Sequence, residues 1–196
     1  MKHLIFATNN LHKADEIRTV LGTSFEIITL KEAGIDIDIP EPHDTLEANA
    51  SEKSKTIFDL TNKDCFSDDT GLEVMALNGE PGVKSARYAG EGRSFENNID
   101  KLLMNLQGKE DRSARFRAII SLLINGKEYL FEGICEGMIT DHRIGEKGFG
   151  YDPVFRPTGS ERTFGEMEME EKNLYSHRRK AMDKMIGFLR DSVAGD

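Results

Sequence analysis

Asp68 and Asp69 stand side by side in Cys-Phe-Ser-Asp-Asp-Thr-Gly-Leu, residues 65–72, after a short apolar run and beside a hydroxyl and a glycine. Successive side chains of extended chain point to opposite sides, so one carboxylate can enter a cleft while its neighbour braces the backbone. Such a pair suits a hard divalent cation, which takes oxygen ligands and usually arrives with a phosphate substrate. The competing reading is an Asx-type turn closing a strand, with both acids in water.

Three further segments bear on that choice. Thr8-Asn9-Asn10-Leu11-His12-Lys13 sits where an apolar run gives way to a helical pattern. The N–H groups at a helix start are unsatisfied and partly positive, so they receive phosphate oxygens readily. Lys13 adds a full charge in a turn where the helix dipole alone would favour an acid. No Walker A loop occurs, and an ordinary N-cap with a solvated lysine has the same appearance. At the last helix Ser176 reads as the N-cap, and His177, Arg178, Arg179 and Lys180 crowd the first turn, with Lys172 just upstream. Cations there oppose one another and the dipole unless an anion lies close; a solvated charge run is the alternative. Finally, Gly145, Gly148 and Gly150 punctuate Gly-Glu-Lys-Gly-Phe-Gly-Tyr-Asp-Pro, residues 145–153. Glycines let backbone approach a ligand, and Phe149 and Tyr151 offer flat faces for a base, though a tight loop with packed aromatics has the same composition.

The elements that must position these groups follow from periodicity. Leu4–Ala7 reads as a buried strand, and Leu11, Ala14, Ile17 and Leu21 as a helix stripe ending at Gly22. Phe25–Leu30 follows as a second strand, completing a strand-helix-strand unit with parallel strands. Residues 31–44 read as a loop stiffened by Pro40 and Pro42. A helix from Thr45 to Leu60 has Leu46, Ala50, Ile57 and Leu60 on its apolar side. Strands flank Asp69 within 64–77, and 79–92 is a glycine-rich loop in which Arg87 and Tyr88 look exposed, at a subunit contact or along a cleft. Phe95, Ile99, Leu102, Leu103 and Leu106 define a third helix. Arg115–Ile124 and Lys127–Ile139 form an antiparallel hairpin about Asn125-Gly126. Val154-Phe155 forms a short strand, and Ser176–Val193 a helix with Met182, Met185, Ile186 and Leu189 inward. Parallel strands joined to a long antiparallel hairpin make an α/β fold, a mixed twisted sheet with flanking helices.

The chain has 196 residues, 38% hydrophobic and 31% charged, which fits a globular fold of one large domain or two lobes sharing a sheet. A net charge of −9 argues against a general binder of nucleic acid or anionic membrane, but leaves room for a small phosphorylated ligand in a local basic pocket. Cys65 and Cys135, the only cysteines, are too few for a disulfide framework and read as packed thiols in a reducing compartment. No run is long enough for a membrane span or a secretion signal, so the cytoplasm is expected.

Together these segments resemble the inosine triphosphate pyrophosphatase family, the non-standard purine nucleoside triphosphate pyrophosphatases. The resemblance runs in order along essentially the whole chain. It comprises Ala-Thr-Asn-Asn-x-x-Lys at 7–13, Glu41 ahead of Asn49-Ala50-x-x-Lys53, and Ser-Asp-Asp-Thr-Gly-Leu at 67–72. Gly-x-Pro-Gly-x-x-Ser-Ala-Arg-Tyr-x-Gly at 79–90, Gly-Phe-Gly-Tyr-Asp-Pro at 148–153, Lys172 and Ser-His-Arg at 176–178 complete it. Asn10 and Ala48 depart from the residues common in the family at those places, and neither removes a group the chemistry requires.

The resemblance implies a single domain over 1–196 with two lobes around a central cleft. It implies hydrolysis of ITP, dITP and XTP to the monophosphate and pyrophosphate, dependence on Mg2+, and a homodimer. Carried over by position, Thr8, Asn9, Asn10, Leu11, His12 and Lys13 would hold the triphosphate. Asp69, or its partner Asp68, would accept the proton of the attacking water; Asp69 would also be a metal ligand, with Glu41 as a second, and Thr70 would touch substrate. Phe149, Gly150, Tyr151 and Asp152 would form the nucleoside loop, and Lys172, His177 and Arg178 would complete the contacts. Lys53 would join Lys13 and Lys172 in neutralising the triphosphate. A nucleotide-binding sensor without hydrolysis, or an enzyme for pyrimidine or modified triphosphates, are the rival readings. Paired acids beside a metal-compatible cleft favour hydrolysis over sensing.

Overall fold

The computed structural model describes residues 2–21 and 25–193. Its elements are β1 (Lys2–Phe6), α1 (Leu11–Leu21), β2 (Phe25–Thr29), α2 (Leu46–Thr61), β3 (Cys65–Val74), β4 (Pro81–Gly82) and α3 (Phe95–Asn105). They continue with β5 (Ser113–Ile124), β6 (Lys127–Ile139), β7 (Phe155–Pro157), α4 (Met169–Lys172) and α5 (His177–Val193). Among the described residues the strands form one mixed sheet in the order β2-β1-β3-β5-β6-β7, with β4 paired to β3 off this path. Pairing is parallel for β1 with β2, Leu4 opposite Ile27, and for β1 with β3, Ile5 opposite Cys65. The β5–β6 hairpin turns on Asn125 and Gly126, both at positive φ as a tight two-residue turn demands. The Gly22 expected to end α1 lies outside the described residues.

The chain divides into two compact units, residues 1–69, 118–133 and 178–196 in one and 70–117 and 134–177 in the other. The first has two apolar clusters. Leu4, Phe6, Ala14, Ile17, Phe66, Ala118, Ile120 and Leu122 pack with Met182, Met185 and Leu189. Ile5, Ala7, Leu30, Ile57, Cys65 and Leu123 form the other, with Ile35, Ile37 and Ile39 of the 31–44 loop against it. The second unit is built on Leu72, Val74, Ile99, Leu102, Leu106, Phe116, Phe155 and Phe164.

Several expectations are corrected. Asp68 and Asp69 neither end a strand nor make a turn: β3 runs unbroken through them from Cys65 to Val74. Leu11 and Leu60, assigned to apolar stripes, are exposed, because each sits at a helix end beyond the cover of its neighbours. Tyr88 is buried, not exposed; its hydroxyl accepts from Asn105 Nδ2 at 2.8 Å and donates to Glu80 Oε2 at 3.2 Å. The two cysteines are buried free thiols, as expected, and burial, with Asp64 nearby, pushes Cys65 up to about 12.

Candidate active site

The period of two in β3 sorts its residues onto different helices. Odd positions 65, 67 and 69 meet α2: Cys65 Sγ donates to Ser54 O at 3.2 Å, Ser67 Oγ to Ala50 O at 2.5 Å, and Asp69 Oδ1 accepts from Lys53 Nζ at 2.8 Å. Even positions 66 and 68 face α1 and α5. Phe66 stacks on Phe6 with ring centroids 4.5 Å apart. Asp68 accepts from Lys13 Nζ at 2.9 Å and from Arg178 Nε at 3.0 Å. Arg178 also donates to Glu16, so a chain of charge runs Lys13–Asp68–Arg178–Glu16. Burial alone would raise the Asp68 carboxyl, but Lys13, Arg178 and Lys53 outweigh it and hold the group well below the usual carboxylate range. Arg178 is held up in turn by Glu16 and Asp68, against its own burial.

Asp69 is raised instead. Burial does most of this, Lys53 and Lys13 oppose it, and the neighbouring charge of Glu41 adds to it. Glu41 reaches the same ammonium, 2.5 Å from Lys53 Nζ. Its loop is pinned, since Asn49 Oδ1 accepts from His43 N at 2.9 Å, Asn49 Nδ2 donates to His43 O at 3.1 Å, and Asn9 Nδ2 donates to Ile37 O at 2.9 Å. Two carboxylates thus converge on one cation. Among the described residues no three His, Cys, Asp or Glu side chains gather as a metal cage. Magnesium, though, is normally bound by one or two carboxylates plus substrate phosphates, so Glu41 and Asp69 fit it.

At the turn into α1, Asn10 Oδ1 accepts from Lys13 N at 3.3 Å and Thr8 Oγ1 accepts from Asn10 N at 3.1 Å. Asn10 therefore acts as the cap, while Leu11 and His12 are exposed on the first turn. The crowded start of α5 divides by face. His177 and Arg178 turn inward, whereas Arg179 pairs with Asp183 at 2.8 Å and Lys180 is exposed. The anion that this turn calls for is supplied at Arg178 by Asp68 and Glu16.

The second unit holds the remaining candidates. Lys172 Nζ donates to Asp152 Oδ2 at 2.6 Å and lies 5.2 Å from the ring centres of both Phe149 and Phe164. Asp152 Oδ2 also accepts from Phe149 N at 2.9 Å, so one carboxylate fastens the loop and the lysine together. His177 stacks on Phe116, centroids 4.7 Å apart. The glycines of this loop serve the protein itself more than a ligand. A Cβ at Gly148 would stand 2.0 Å from Asp152 Oδ2, and one at Gly145 would stand 2.1 Å from Gly165 O. Only Gly150 of the three looks onto open space. Tyr151 is likewise packed in the core with its hydroxyl donating to Ser85 O at 2.7 Å, which anchors the loop in place of offering a flat face; Phe149 is the half-buried ring.

The first unit therefore gathers Lys13, Glu41, Lys53, Asp69 and Arg178, and the second Phe149, Asp152 and Lys172. Sequence reasoning missed Glu16 and the charge role of Asp68. Glu16 had a signal: it stands between Ala14 and Ile17 on the buried side of α1, where an acid needs a partner.

The Ham1 family model matches residues 4–188. The chain belongs to the Ham1 family. A Ham1 relative from Flavobacterium psychrophilum, named dITP/XTP pyrophosphatase, is 48% identical over 96% of this chain and 99% of its own. The solved Ham1 protein of Staphylococcus aureus superposes with a TM-score of 0.88 at 40% identity, covering 97% of this chain and 100% of that one. The Ham1 protein of Coxiella burnetii gives 0.89 at 34% identity, with coverage of 97% and 100%. The mixed sheet with flanking helices is thus the Ham1 fold.

Proposed function

We propose that this chain hydrolyses the non-standard purine nucleoside triphosphates ITP, dITP and XTP to monophosphate and pyrophosphate, clearing them from the nucleotide pool. The observation that carries the reading is the division of labour in β3. Asp68 is locked between Lys13 and Arg178, while Asp69 lies with Glu41 about the single ammonium of Lys53. A carboxylate so placed can serve as general base for water, and such help is worth ~10²–10⁴ in rate. The dITP/XTP pyrophosphatase name of the relatives, at 42% to 48% identity, supports the same substrates.

Mg2+ held by Glu41 and Asp69 would supply charge neutralisation at phosphate oxygens and a more acidic bound water. Asp69 accepts the proton of the attacking water as its oxygen bonds to phosphorus. The anhydride bond between the α- and β-phosphates breaks, and pyrophosphate and monophosphate separate. Lys13, Lys53 and Lys172 offset the phosphate charge, with the N–H groups and side chains of Thr8, Asn9, Asn10, Leu11 and His12 around the triphosphate. Thr70 contacts substrate. Phe149 stacks on the purine, with Gly150, the backbone of Tyr151, Asp152 and His177 completing the nucleoside contacts. A donor from Arg178 or from backbone N–H at 177–178 meets the 6-carbonyl of hypoxanthine or xanthine. Adenine would set an amino donor against that donor, a mismatch of ~1–3 kcal/mol. Guanine is refused by a clash at its 2-amino group. The whole chain acts as one catalytic domain, and the family resemblance further suggests a homodimer in the cytoplasm.

The test is to incubate the purified protein and Mg2+ with ITP, XTP, ATP, GTP and UTP and measure pyrophosphate and monophosphate. Both products from ITP and XTP, with little from the others, is the expected result. Orthophosphate, preferred turnover of UTP, or no product at all would overturn the reading.

A further inference from the structure

Lys53 is a cation buried where a cation is wanted. It projects from α2 one turn after Asn49 and is only 7% exposed. Its Nζ lies 2.5 Å from Glu41 Oε1, 2.8 Å from Asp69 Oδ1 and 3.2 Å from the carbonyl oxygen of Asp68. An ammonium has three N–H donors, and these three oxygens satisfy all of them. The same two carboxylates are the ones that fit a divalent ion, which would need them at about 2.0–2.1 Å. An ammonium in contact with both and a dication between them cannot coexist, by distance and by charge.

We propose that Lys53 is a built-in counter-ion that keeps the metal seat closed, so that Mg2+ binds tightly only together with a polyphosphate that draws the ammonium away. The proposal rests on the reading that Glu41 and Asp69 hold a divalent metal. Its physical basis is an exchange of partners. The four-carbon stem of a lysine lets Nζ swing without moving α2, and phosphate oxygens give the ammonium new acceptors as it leaves the carboxylates. Metal and polyphosphate then bind with positive coupling, and each must strengthen the other by the same factor. The arrangement also keeps an activated water from forming in the site before substrate arrives.

The test measures metal binding without turnover. Mn2+ is titrated into the wild type, Lys53→Met and Lys53→Gln in the absence of nucleotide, with free Mn2+ followed by electron paramagnetic resonance. Both variants are expected to bind at least about tenfold more tightly than wild type. Equal or weaker binding overturns the proposal, and if pyrophosphate is still released from ITP the functional reading survives that failure. Absence of Mn2+ binding in all three proteins removes the metal seat and the proposal together. Should the variants fail to fold, the wild type labelled with 15N-lysine answers the same question. The Lys53 ammonium resonance should stay in place with Mg2+ alone and shift when Mg2+ and inorganic triphosphate are added together. A shift with Mg2+ alone overturns the proposal.

Discussion

Asp68 and Asp69 are chemically identical neighbours that the fold has made opposites. On the face toward α1 and α5, Asp68 meets two cations and has its proton affinity driven down. On the face toward α2, Asp69 shares a single ammonium with Glu41 and has its proton affinity raised. Desolvation is severe on both sides, so the difference comes from the count of charges around each carboxylate. A strand buried on both faces can thus give two adjacent residues of one type opposite electrostatic surroundings.

The sharpest way to break this comparison is to neutralise each acid in turn. Asp69→Asn should lower turnover of ITP by about 10²–10⁴-fold in steady-state assays. Its stability should change by less than about 1 kcal/mol, since Lys53 keeps Glu41 as a partner. Near-normal turnover would remove Asp69 from the base role. Asp68→Ala should reverse the pattern, costing about 3–5 kcal/mol in urea unfolding at pH 7, because Lys13 and Arg178 lose their shared anion. The pH dependence follows from the depressed value of Asp68. Its stabilisation is fully present above the ordinary carboxylate value of 3.8 and is lost as pH falls through the lower value in the folded protein. The gap between wild type and Asp68→Ala should therefore be widest near neutrality and shrink below pH 3.8. A gap that grows on acidification would refute the charge assignment.

Smaller changes sharpen the picture. Glu16→Gln keeps a hydrogen-bond acceptor for Arg178 but removes its charge, and should cost about 1–3 kcal/mol in the same unfolding experiment. A neutral result would leave Asp68 as the sole anchor of Arg178. Ser67→Ala removes only the hydroxyl bond to Ala50 O on the α2 face and should cost about 0.5–1.5 kcal/mol, with turnover of ITP unchanged. A large loss of turnover there would mean that the face carrying Asp69 depends on Ser67 for its register against α2.

Much of this architecture is legible in the sequence wherever a single local rule governs. The hairpin about Asn125-Gly126 is visible because a turn with two left-handed residues leaves few alternatives. The helices at 46–61, 95–105 and 177–193 follow from apolar spacing, with Thr45 and Ser94 as side-chain caps of the first two. The middle of β3 is not legible in this way. Asp, Asp and Gly are poor strand formers, and only cations brought from α1, α2 and α5 make their burial tolerable. The glycine loop misleads for a related reason. Gly148 reads as room for a ligand, yet the close neighbour is Asp152 of the same loop.

By itself, then, the sequence determined most of the elements outside the middle of β3, the motifs and the inventory of acids, cations and aromatics, because these depend on neighbours a few residues away. Tertiary structure alone decided that Asp68 would be neutralised and Asp69 left hungry for a proton, that Lys53 would sit between Glu41 and Asp69, and that Glu16 would hold Arg178. Those outcomes depend on charges separated by up to 162 positions along the chain, and electrostatic energy follows distance in space, to which chain order gives no direct guide.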